Sequence, residues 1–349
     1  MPSKMSQSGA ILLGLGSIGK VHLKELIRHF DNILIVDPKA ETLDVSSFKT
    51  GPSSIKLLSS LSEFEFQFLP KLAVIANWGP DHFESFMSLV NVGVTNFIIE
   101  KPLVDCFADL YQLRRVVVEK KLNVVINHQN SFSYLEDLIQ RLDNNFQIGK
   151  AKSISVLGGA KCIATNGIHY LALASIIFGK RPIYTQSRLY WELINPRSPD
   201  LGFIAGVASW EFANQSFLTL NFSNLSQVDS RIEILFEHAL IIVEGSKLEL
   251  KEIPSDIRKT LTKPTRTGSA SEQIYFGEAY QFPSGQSGID RIYSFALGNE
   301  DSTGVFDHGF GATEDLLSTF VANAEGRGIA LPLTSETLNK HISRKWNIS

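Results

Sequence analysis

The sequence predicts an α/β protein in which a doubly wound parallel sheet is followed by a second domain rich in antiparallel strands. Three observations lead to this fold class. A glycine-rich turn, residues 14–19, joins an apolar strand to a helix, and strands and helices then alternate as far as residue 126. From residue 183, short strands with alternating apolar side chains follow one another. Alternating strands and helices favour a parallel sheet, whereas strands joined by turns favour an antiparallel one.

Length and composition indicate a two-domain globular protein. With 349 residues the chain is too long for one ordinary core, and we expect domains at residues 1–126 and 127–349. The net charge is −3, and no block of basic residues in the sequence suggests nucleic-acid binding. Cys106 and Cys162 are too few for a disulfide framework and are not paired as metal ligands, which favours a reducing compartment. No apolar run is long enough for a signal peptide or a membrane span, so we expect a cytoplasmic protein without a membrane partner.

A dinucleotide-binding turn is predicted directly after the first apolar strand. Gly14 permits the tight turn, Gly16 lets the backbone approach a pyrophosphate, and Gly19 lets the helix pack close to the strand. The start of this helix, with Ser17 and Ile18, adds a partial positive charge where the phosphates would lie.

The choice of dinucleotide depends on the end of the second strand, Asn32–Val36. Asp37 follows it at roughly the spacing at which a carboxylate accepts hydrogen bonds from the adenosine ribose hydroxyls. A carboxylate there repels a 2′-phosphate, so NAD is favoured over NADP, although Lys39 keeps NADP as an alternative. An ordinary glycine turn with a capping aspartate is the alternative without a cofactor.

Polar residues follow two further buried strands of the parallel sheet. These strands and the last one are predicted at Lys71–Ala76, Val94–Ile99 and Leu122–Ile126. Because the carboxyl ends of such strands face the ligand crevice, Asn77, Trp78, Glu100 and Lys101 are candidate cofactor contacts. For Trp78 a plain surface position is an equal alternative, and His82 is interpreted as a first-turn residue of the next helix. We expect Lys101 to lie between the nicotinamide and the substrate.

Candidate substrate residues begin where the second domain starts. The polar run Asn127-His128-Gln129-Asn130 comes directly after a buried strand. We interpret it as lining a site in which His128 binds substrate hydroxyls with Gln129 and Asn130 beside it, and a polar linker is the alternative. The apolar helix predicted at Gly167–Ile177 has His169 near its start. A histidine on an apolar helix is usually structural, but the glycines around this one favour a catalytic role.

The second half of the chain is predicted as an antiparallel meander with one apolar face. Its strands are predicted at Thr185–Leu189, Ile204–Glu211, Phe217–Phe222, Arg231–Phe236, Ala239–Glu244 and Lys247–Glu252. Tyr190 and Arg197 belong to a polar and aromatic stretch between strands, which is suited to stacking on a sugar and binding phosphate or carboxylate. A surface loop or subunit contact is the alternative. Residues 253–275 are predicted to form a flexible loop, and residues 40–68 to be largely irregular.

The motifs together resemble one known family, the glucose-fructose oxidoreductase and inositol dehydrogenase (Gfo/Idh/MocA) family. The matching segments are Gly14–Gly19, Asn77–His82, Glu100-Lys101-Pro102, Gly158-Gly159 and Asn166–His169, in the family's order and spacing. The resemblance implies a Rossmann domain followed by an α/β domain with a large, mostly antiparallel open sheet. It also implies NAD(P)-dependent oxidoreductase chemistry on sugars, nucleotide sugars or cyclitols, and a homodimer or homotetramer packed through open sheet faces.

The sequence departs from the family pattern around the histidine. The family often has one aspartate four residues before it and another three residues after it, and here these positions hold Thr165 and Ala172. The resemblance therefore leaves Lys101 and His169 as the catalytic residues, with Thr165 and Asn166 among the substrate-binding positions. Because Thr165 carries no charge, we expect His169 to be a weaker base than in relatives.

Three functions are compatible with these features. The first is a dehydrogenase or reductase acting on CH–OH groups. The second is a non-catalytic NAD(P)-binding sensor on the same scaffold, which the loss of both aspartates makes relevant. The third is a glycosidase that uses NAD in transient oxidation without net consumption. No metal site is predicted.

Overall fold

The computed structural model describes residues 9–48, 53–63, 69–129, 131, 135–159, 161–193, 202–245, 247–253, 272–276 and 285–348, with backbone alone at 135–137, 192, 193, 272–276 and 285. The chain divides into two compact units. The first contains the chain up to Asn127, Ile289–Thr313 and the chain from Ile342 onward. The second contains His128–Gly288 and Glu314–His341.

This division differs from the predicted one in the last third of the chain, where two later segments join the first unit. Ring packing explains the difference. The ring of Tyr293 packs against that of His22, and the ring of Phe310 packs against that of Tyr111, so these segments add their apolar side chains to the first core. Separate cofactor and substrate roles for the two parts of the chain stay a prediction.

A six-stranded parallel sheet forms the centre of the first unit. Its strands are β1 (Gly9–Leu13), β2 (Asn32–Val36), β3 (Ser54–Leu58), β4 (Leu72–Ile75), β5 (Asn96–Ile99) and β6 (Asn123–Ile126). Their spatial order, β3-β2-β1-β4-β5-β6, is that of a Rossmann fold, and every pair is parallel. All of β1 and β4 is buried, as expected for a sheet covered on both faces. The predicted doubly wound sheet is confirmed.

Three helices connect the strands of this sheet, α1 (Ser17–His29), α2 (His82–Asn91) and α3 (Phe107–Lys120). Helix α1 buries His22 and Glu25 together with Leu23 and Leu26. Its inward face thus carries two polar side chains that the apolar pattern of the sequence did not indicate. Buried polar groups require partners, so this face contains more than simple packing.

The second unit is built on a nine-stranded sheet that is mostly antiparallel. Its strands are β7 (Ala151–Gly158), β8 (Pro182–Leu193), β9 (Phe203–Phe212), β10 (Phe217–Phe222), β11 (Arg231–Phe236), β12 (Ala239–Glu244), β13 (Lys247–Glu252), β14 (Glu272–Phe276) and β15 (Ile329–Ala330). The order is β14-β13-β12-β11-β7-β10-β9-β8-β15, and among the described strands of this sheet only β7 and β10 pair in parallel. The expected large, mostly antiparallel sheet is confirmed.

The remaining helices are α4 (Leu135–Phe146), α5 (Ile168–Ile177), α6 (Gly285–Ala296), α7 (Val305–Glu325) and α8 (Ser335–His341). Helix α7 packs on β8 and the residue before it through two polar residues eight positions apart, because about two helical turns keep both side chains on one side of the helix. Asp315 binds the guanidinium of Arg181, and Asn323 accepts the N–H of Leu189 at 2.8 Å. These bonds fix the helix on the edge of the sheet.

Several elements were not predicted. Strand β3 lies in the segment expected to be irregular, and β14 lies at the end of the segment expected to be a loop. Helix α6 was missed, although Ile289, Ile292 and Tyr293 give it an apolar face at spacings of three and four residues. Most of the predicted flexible loop, residues 254–271, falls outside the described residues.

Candidate functional site

The glycine turn has the shape of a phosphate cradle. Gly14 has φ +84°, and a Cβ there would lie 2.7 Å from the carbonyl oxygen of Ala76. A Cβ on Gly19 would lie only 2.1 Å from the carbonyl oxygen of Gly14, so both positions exclude a side chain. A Cβ on Gly16 would meet nothing within 4 Å, and Ser17 beside it is exposed. The turn is therefore closely packed at Gly14 and Gly19 and open at Gly16. It also lies next to the positive end of a helix, and this arrangement fits a pyrophosphate.

Asp37 is held beside this turn by two backbone hydrogen bonds. The N–H of Leu15 donates to its Oδ2 at 2.8 Å, and the N–H of Lys39 donates to its Oδ1 at 2.8 Å. Each carboxylate oxygen retains further acceptor capacity, and the side chain is half-buried. The geometry fits a carboxylate that is oriented by the turn and accepts hydrogen bonds from a ribose.

Asn77 and Trp78 follow β4, as predicted. The amide nitrogen of Asn77 donates to Oγ of Ser85 at 2.9 Å. Its Oδ1 is buried and has no hydrogen-bond partner among the described residues. Buried acceptors normally have a donor, so this oxygen also fits a bound group. Trp78 is 53% exposed, and its contact with a cofactor stays a prediction.

His82 has a larger role than the first turn of α2. Its ring is buried between two backbone carbonyls, with Nδ1 2.9 Å from the oxygen of Pro102 and Nε2 3.1 Å from the oxygen of Asn77. Burial lowers the pKa of His82, more than these two carbonyls raise it. A neutral imidazole has one N–H, so it donates to one carbonyl at a time. Either way the ring links the end of β4 to the residue after Lys101.

Glu100 lies in a buried polar network at the end of β5. Its Oε1 accepts from Nε2 of His22 at 2.9 Å and from the amide of Asn127. Nδ1 of His22 in turn lies 3.1 Å from the hydroxyl of Tyr293, which donates to the backbone oxygen of His22. All four side chains are buried.

The network keeps Glu100 ionised. Burial by itself raises the pKa of Glu100, but the hydrogen bond and charge of His22, with Lys101 and Asn127, outweigh it and lower the pKa to about 2. Burial, with the charges of Glu25 and Glu100, raises the pKa of Tyr293 well above its usual value. A fixed negative charge therefore precedes Lys101, whose own side chain is half-buried.

The second unit brings together two predicted site residues, His128 from the substrate-binding set and the catalytic candidate His169. His128 is fully buried, His169 is almost so, and their rings meet edge to face with centroids 5.8 Å apart. His169 is the second residue of α5. No local pattern pairs the two histidines, because they lie far apart along the chain. The pairing places a second titratable ring directly beside His169.

Thr165 and Asn166 lie in a five-residue π-helical turn, Ile163–Gly167, that leads into α5. Such turns are rare and are frequent at functional sites. Thr165 is buried, whereas Asn166 is exposed and its Oδ1 accepts the N–H of Cys162 at 3.1 Å. Asn166 therefore has at least a local structural role at the helix start. Its predicted role in substrate binding is not tested by this contact.

The other predicted substrate residues are less closely defined. Gln129 lies beside His128, and its backbone carbonyl approaches Gly288 so closely that a Cβ there would be 1.9 Å away. Tyr190 lies within β8 and is 53% exposed, so the expected interstrand stretch begins as a strand. Leu189 before it is buried, as the period of two requires. Asn130 and Arg197 lie outside the described residues.

Three residues of the network were not predicted as site residues. These are His22, Asn127 and Tyr293. His22 was recognisable only as a polar residue on the inward arc of α1, next to Leu23. Asn127 directly follows a buried strand, which is the same signal that identified Asn77. Tyr293 lies 271 residues from His22 in sequence, and no local pattern could link them.

Asp105, Cys106 and Asp109 lie close enough together to suggest a metal site. The ammonium of Lys345, however, lies 3.2 Å from Oδ1 of Asp105 and contacts Asp109. The cluster is therefore an ion-paired anchor for the C-terminal segment. Among the described helices, none combines the length and apolar character needed to cross a membrane.

Comparison with solved structures shows which proteins share this fold. The WlbA dehydrogenase of Chromobacterium violaceum, solved with NADH and UDP-GlcNAcA, has a TM-score of 0.67 and 16% identity over 95% of this chain and 98% of its own. Levoglucosan dehydrogenase, solved with NADH and levoglucosan, has a TM-score of 0.69 and 14% identity over 93% and 100%. A super-repressor mutant of Gal80p from Saccharomyces cerevisiae has a TM-score of 0.68 and 15% identity over 93% and 97%.

These neighbours are of the glucose-fructose oxidoreductase and inositol dehydrogenase type, which confirms the expected resemblance at the level of the fold. At such identities the likeness establishes the fold alone. No protein-family model and no curated protein sequence matches the chain.

Proposed function

We propose that this protein is an NAD-dependent oxidoreductase that moves a hydride between the nicotinamide and a hydroxyl or keto carbon of a sugar, nucleotide sugar or cyclitol. The observation that carries the proposal is the glycine turn. Gly14 and Gly19 leave no room for a side chain, whereas the space around Gly16 is open, and Asp37 is held beside the turn. Two structures of the same fold hold NADH together with a carbohydrate-type ligand, which supports the substrate class.

The cofactor is proposed to lie along the carboxyl ends of the parallel strands. Gly14, Gly16, Ser17, Ile18 and Gly19 would hold the pyrophosphate. The carboxylate of Asp37 would bind the adenosine ribose and disfavour a 2′-phosphate, which is why we propose NAD rather than NADP.

The nicotinamide half is proposed to contact the ends of β4 and β5. Asn77, Trp78, Glu100 and Lys101 are the residues concerned. The buried Oδ1 of Asn77 supports this placement, because it needs a donor and the amide of a nicotinamide is one. When bound, the cofactor supplies the hydride donor or acceptor, which no side chain can provide.

Lys101 and His169 are the proposed catalytic residues. Oxidation of an alcohol needs a base for the hydroxyl proton, and reduction of a ketone needs an acid at the same oxygen. An imidazole exchanges protons near neutral pH, and an ammonium donates a hydrogen bond to the reacting oxygen. We propose that these two residues transfer the proton at the reacting oxygen, and experiment must decide the direction of the reaction.

Residues of the second unit are proposed to select the substrate. They are His128, Gln129, Thr165, Asn166, Tyr190 and Arg197. Hydroxyl, amide and imidazole groups match the hydroxyls of a carbohydrate, and an aromatic ring offers a stacking face. The π-helical turn and the buried ring pair give this assignment its main support.

A sensor is the second candidate function. The likeness to a super-repressor mutant supports it weakly, since it shows that a repressor can have this fold. The uncharged residues Thr165 and Ala172 add to this support, because they replace two acids that the family often has. The two functions differ in one measurable property, namely whether bound NAD is reduced in the presence of a carbohydrate.

We also propose a homodimer or homotetramer that covers one face of the nine-stranded sheet. Leu157, Val207, Phe217 and Leu235 are exposed on this face, and the strand register places them on the same side. Four exposed apolar side chains on one face of a sheet support an interface there. Light scattering should give a dimer or tetramer, and Phe217→Glu should shift it toward monomer; a monomeric wild type would overturn this part.

Cofactor binding is the first test of the proposal. Titration of the purified protein with NAD⁺, NADH and NADP⁺ by calorimetry should show binding of both NAD forms in the micromolar range and weaker binding of NADP⁺. Trp78 offers a second signal through its fluorescence. Failure of every dinucleotide to bind would overturn the proposal for enzyme and sensor alike.

A further inference from the structure

We propose that His22 and His82 are positioning residues that fix the backbone on the two sides of Lys101. His22 binds the side chain of Glu100, the residue before Lys101, and His82 faces the carbonyl of Pro102, the residue after Lys101. The inference rests on the proposed function, since it gives Lys101 its purpose. It assigns a role to two buried histidines that the proposed chemistry does not itself use.

The first side is the contact of His22 with Glu100. Nε2 of His22 lies 2.9 Å from Oε1 of Glu100, and the amide of Asn127 donates to the same oxygen. The opposite ring nitrogen of His22 faces the hydroxyl of Tyr293 at 3.1 Å. With partners on both nitrogens the imidazole has a fixed orientation, and so does the carboxylate it binds.

The second side is the contact of His82 with Pro102. Nδ1 of His82 lies 2.9 Å from the carbonyl oxygen of Pro102, and Nε2 lies 3.1 Å from that of Asn77. This ring is 1% exposed, so water does not compete for the carbonyls. The backbone after Lys101 is thereby tied to the end of β4.

The two histidines come from elements that are themselves proposed to contact the cofactor. His22 belongs to α1, which starts at the glycine turn, and His82 starts α2, five residues after Asn77. The position of Lys101 is therefore fixed by the same elements that would bind the dinucleotide. A shift of about 1 Å in a positioned catalytic group costs about a hundredfold in rate, so such a linkage matters for turnover.

Gln and Met variants of each histidine, which are nearly isosteric with each other, separate a role in positioning Lys101 from a role in packing the core. At each histidine, Gln retains a hydrogen-bonding side chain whereas Met does not, and the two have similar length. His238→Gln, in the turn between β11 and β12 of the second unit, is the matched control, because it lies outside the network around Lys101. For each variant we would measure the melting temperature, NAD⁺ affinity, and kcat and KM with the carbohydrate that reduces NAD⁺ fastest.

A readout independent of turnover is the acetylation of Lys101 by acetic anhydride, followed by peptide mass spectrometry, with Lys120 as internal standard. In His22→Met and His82→Met, the relative labelling of Lys101 should rise about threefold or more as local order is lost. In the Gln variants and in the control His238→Gln, the relative labelling of Lys101 should stay near the wild-type rate. Equal labelling in Met and Gln variants would overturn the inference.

Turnover gives the second arm. The Met variants should lose about tenfold or more in kcat with little change in KM for NAD⁺, and the Gln variants should recover most of it. Equal kcat in Met and Gln variants would again count against positioning. If the wild type reduces no NAD⁺ with any carbohydrate, the proposed function fails, while the labelling arm still decides whether the histidines hold Lys101.

Discussion

Nε2 of His22 lies 2.9 Å from Oε1 of Glu100, and both side chains are buried within the first unit. The contact joins the helix of the glycine turn to the residue before Lys101. It also keeps a buried carboxylate ionised, because the hydrogen bond and charge of His22 outweigh the opposing effect of burial. A group of this kind affects both stability and the charge around the candidate site.

The stability of the protein should depend on Glu100 in acid. Its pKa falls from 4.5 to about 2 on folding. A lowered pKa stabilises the fold above the unfolded value, and this contribution is lost as the pH falls toward the folded value. The advantage of wild type over Glu100→Gln in the free energy of unfolding should therefore shrink by about 2 kcal/mol between pH 7 and pH 3.

Urea unfolding at several pH values measures this difference. Glu119→Gln is the control. Glu119 pairs with Arg115 on an exposed helix face, and such pairs contribute little to the free energy of unfolding. A difference between wild type and Glu100→Gln that stays constant with pH would show that Glu100 is not the ionised group described here.

Two glycine substitutions in the turn should affect different properties, namely fold stability in one case and NAD⁺ affinity in the other. Gly19→Ala places a Cβ 2.1 Å from a backbone oxygen, so it should destabilise the fold by on the order of 2 kcal/mol. Gly16→Ala meets nothing within 4 Å, so stability should change by less than about 1 kcal/mol. NAD⁺ affinity should nevertheless fall about tenfold or more in Gly16→Ala, because the added methyl group would occupy the proposed pyrophosphate position. Calorimetry and thermal melts check both, and tight NAD⁺ binding by Gly16→Ala would contradict the cradle.

Asp37 should determine the choice of dinucleotide. Asp37→Ser removes the charge that repels a 2′-phosphate, so the preference for NAD⁺ over NADP⁺ should decrease by about tenfold or more. Glu41→Ser, at a nearby exposed position, should leave the preference unchanged. The ratio of the two dissociation constants is the measurement. A ratio that is the same in wild type and Asp37→Ser would remove the basis for assigning NAD.

Lys101→Met should abolish most turnover without abolishing cofactor binding. Loss of an acid or base of this kind typically lowers turnover by about a hundredfold or more. The side chain is half-buried, so methionine can occupy its volume, and NAD⁺ affinity should stay within roughly threefold. Lys120→Met, at the exposed end of α3, should behave as wild type. Unchanged turnover in Lys101→Met would remove Lys101 from the mechanism.

Local patterns were sufficient to predict five of the six strands of the first sheet, together with its glycine turn. Apolar runs marked β1, β2, β4, β5 and β6, and the spacing of Gly14, Gly16 and Gly19 identified the turn before any contact was known. The fold class of the second unit also followed, since the alternation of buried and exposed residues along β10 and β11 is regular. Each of these features depends on residues close together in the chain.

The polar network could not be predicted in the same way. Glu100 and Tyr293 lie 78 and 271 residues from His22, so their contacts with it arise only from tertiary packing. The pairing of His128 with His169 is of the same kind. Strand β3 was missed for another reason, because it alternates between exposed and half-buried residues at the edge of the sheet and lacks an apolar run.

The most direct test of the central claim is to mix the pure protein with NAD⁺ and a panel of sugars, nucleotide sugars and cyclitols, following NADH absorbance and carbohydrate products together. The account predicts stoichiometric NADH and oxidised carbohydrate from at least one member of the panel, and loss of both in Lys101→Met. A cleaved glycoside without net NADH, or tight NAD⁺ binding with no product, would contradict the dehydrogenase and support the glycosidase or the sensor.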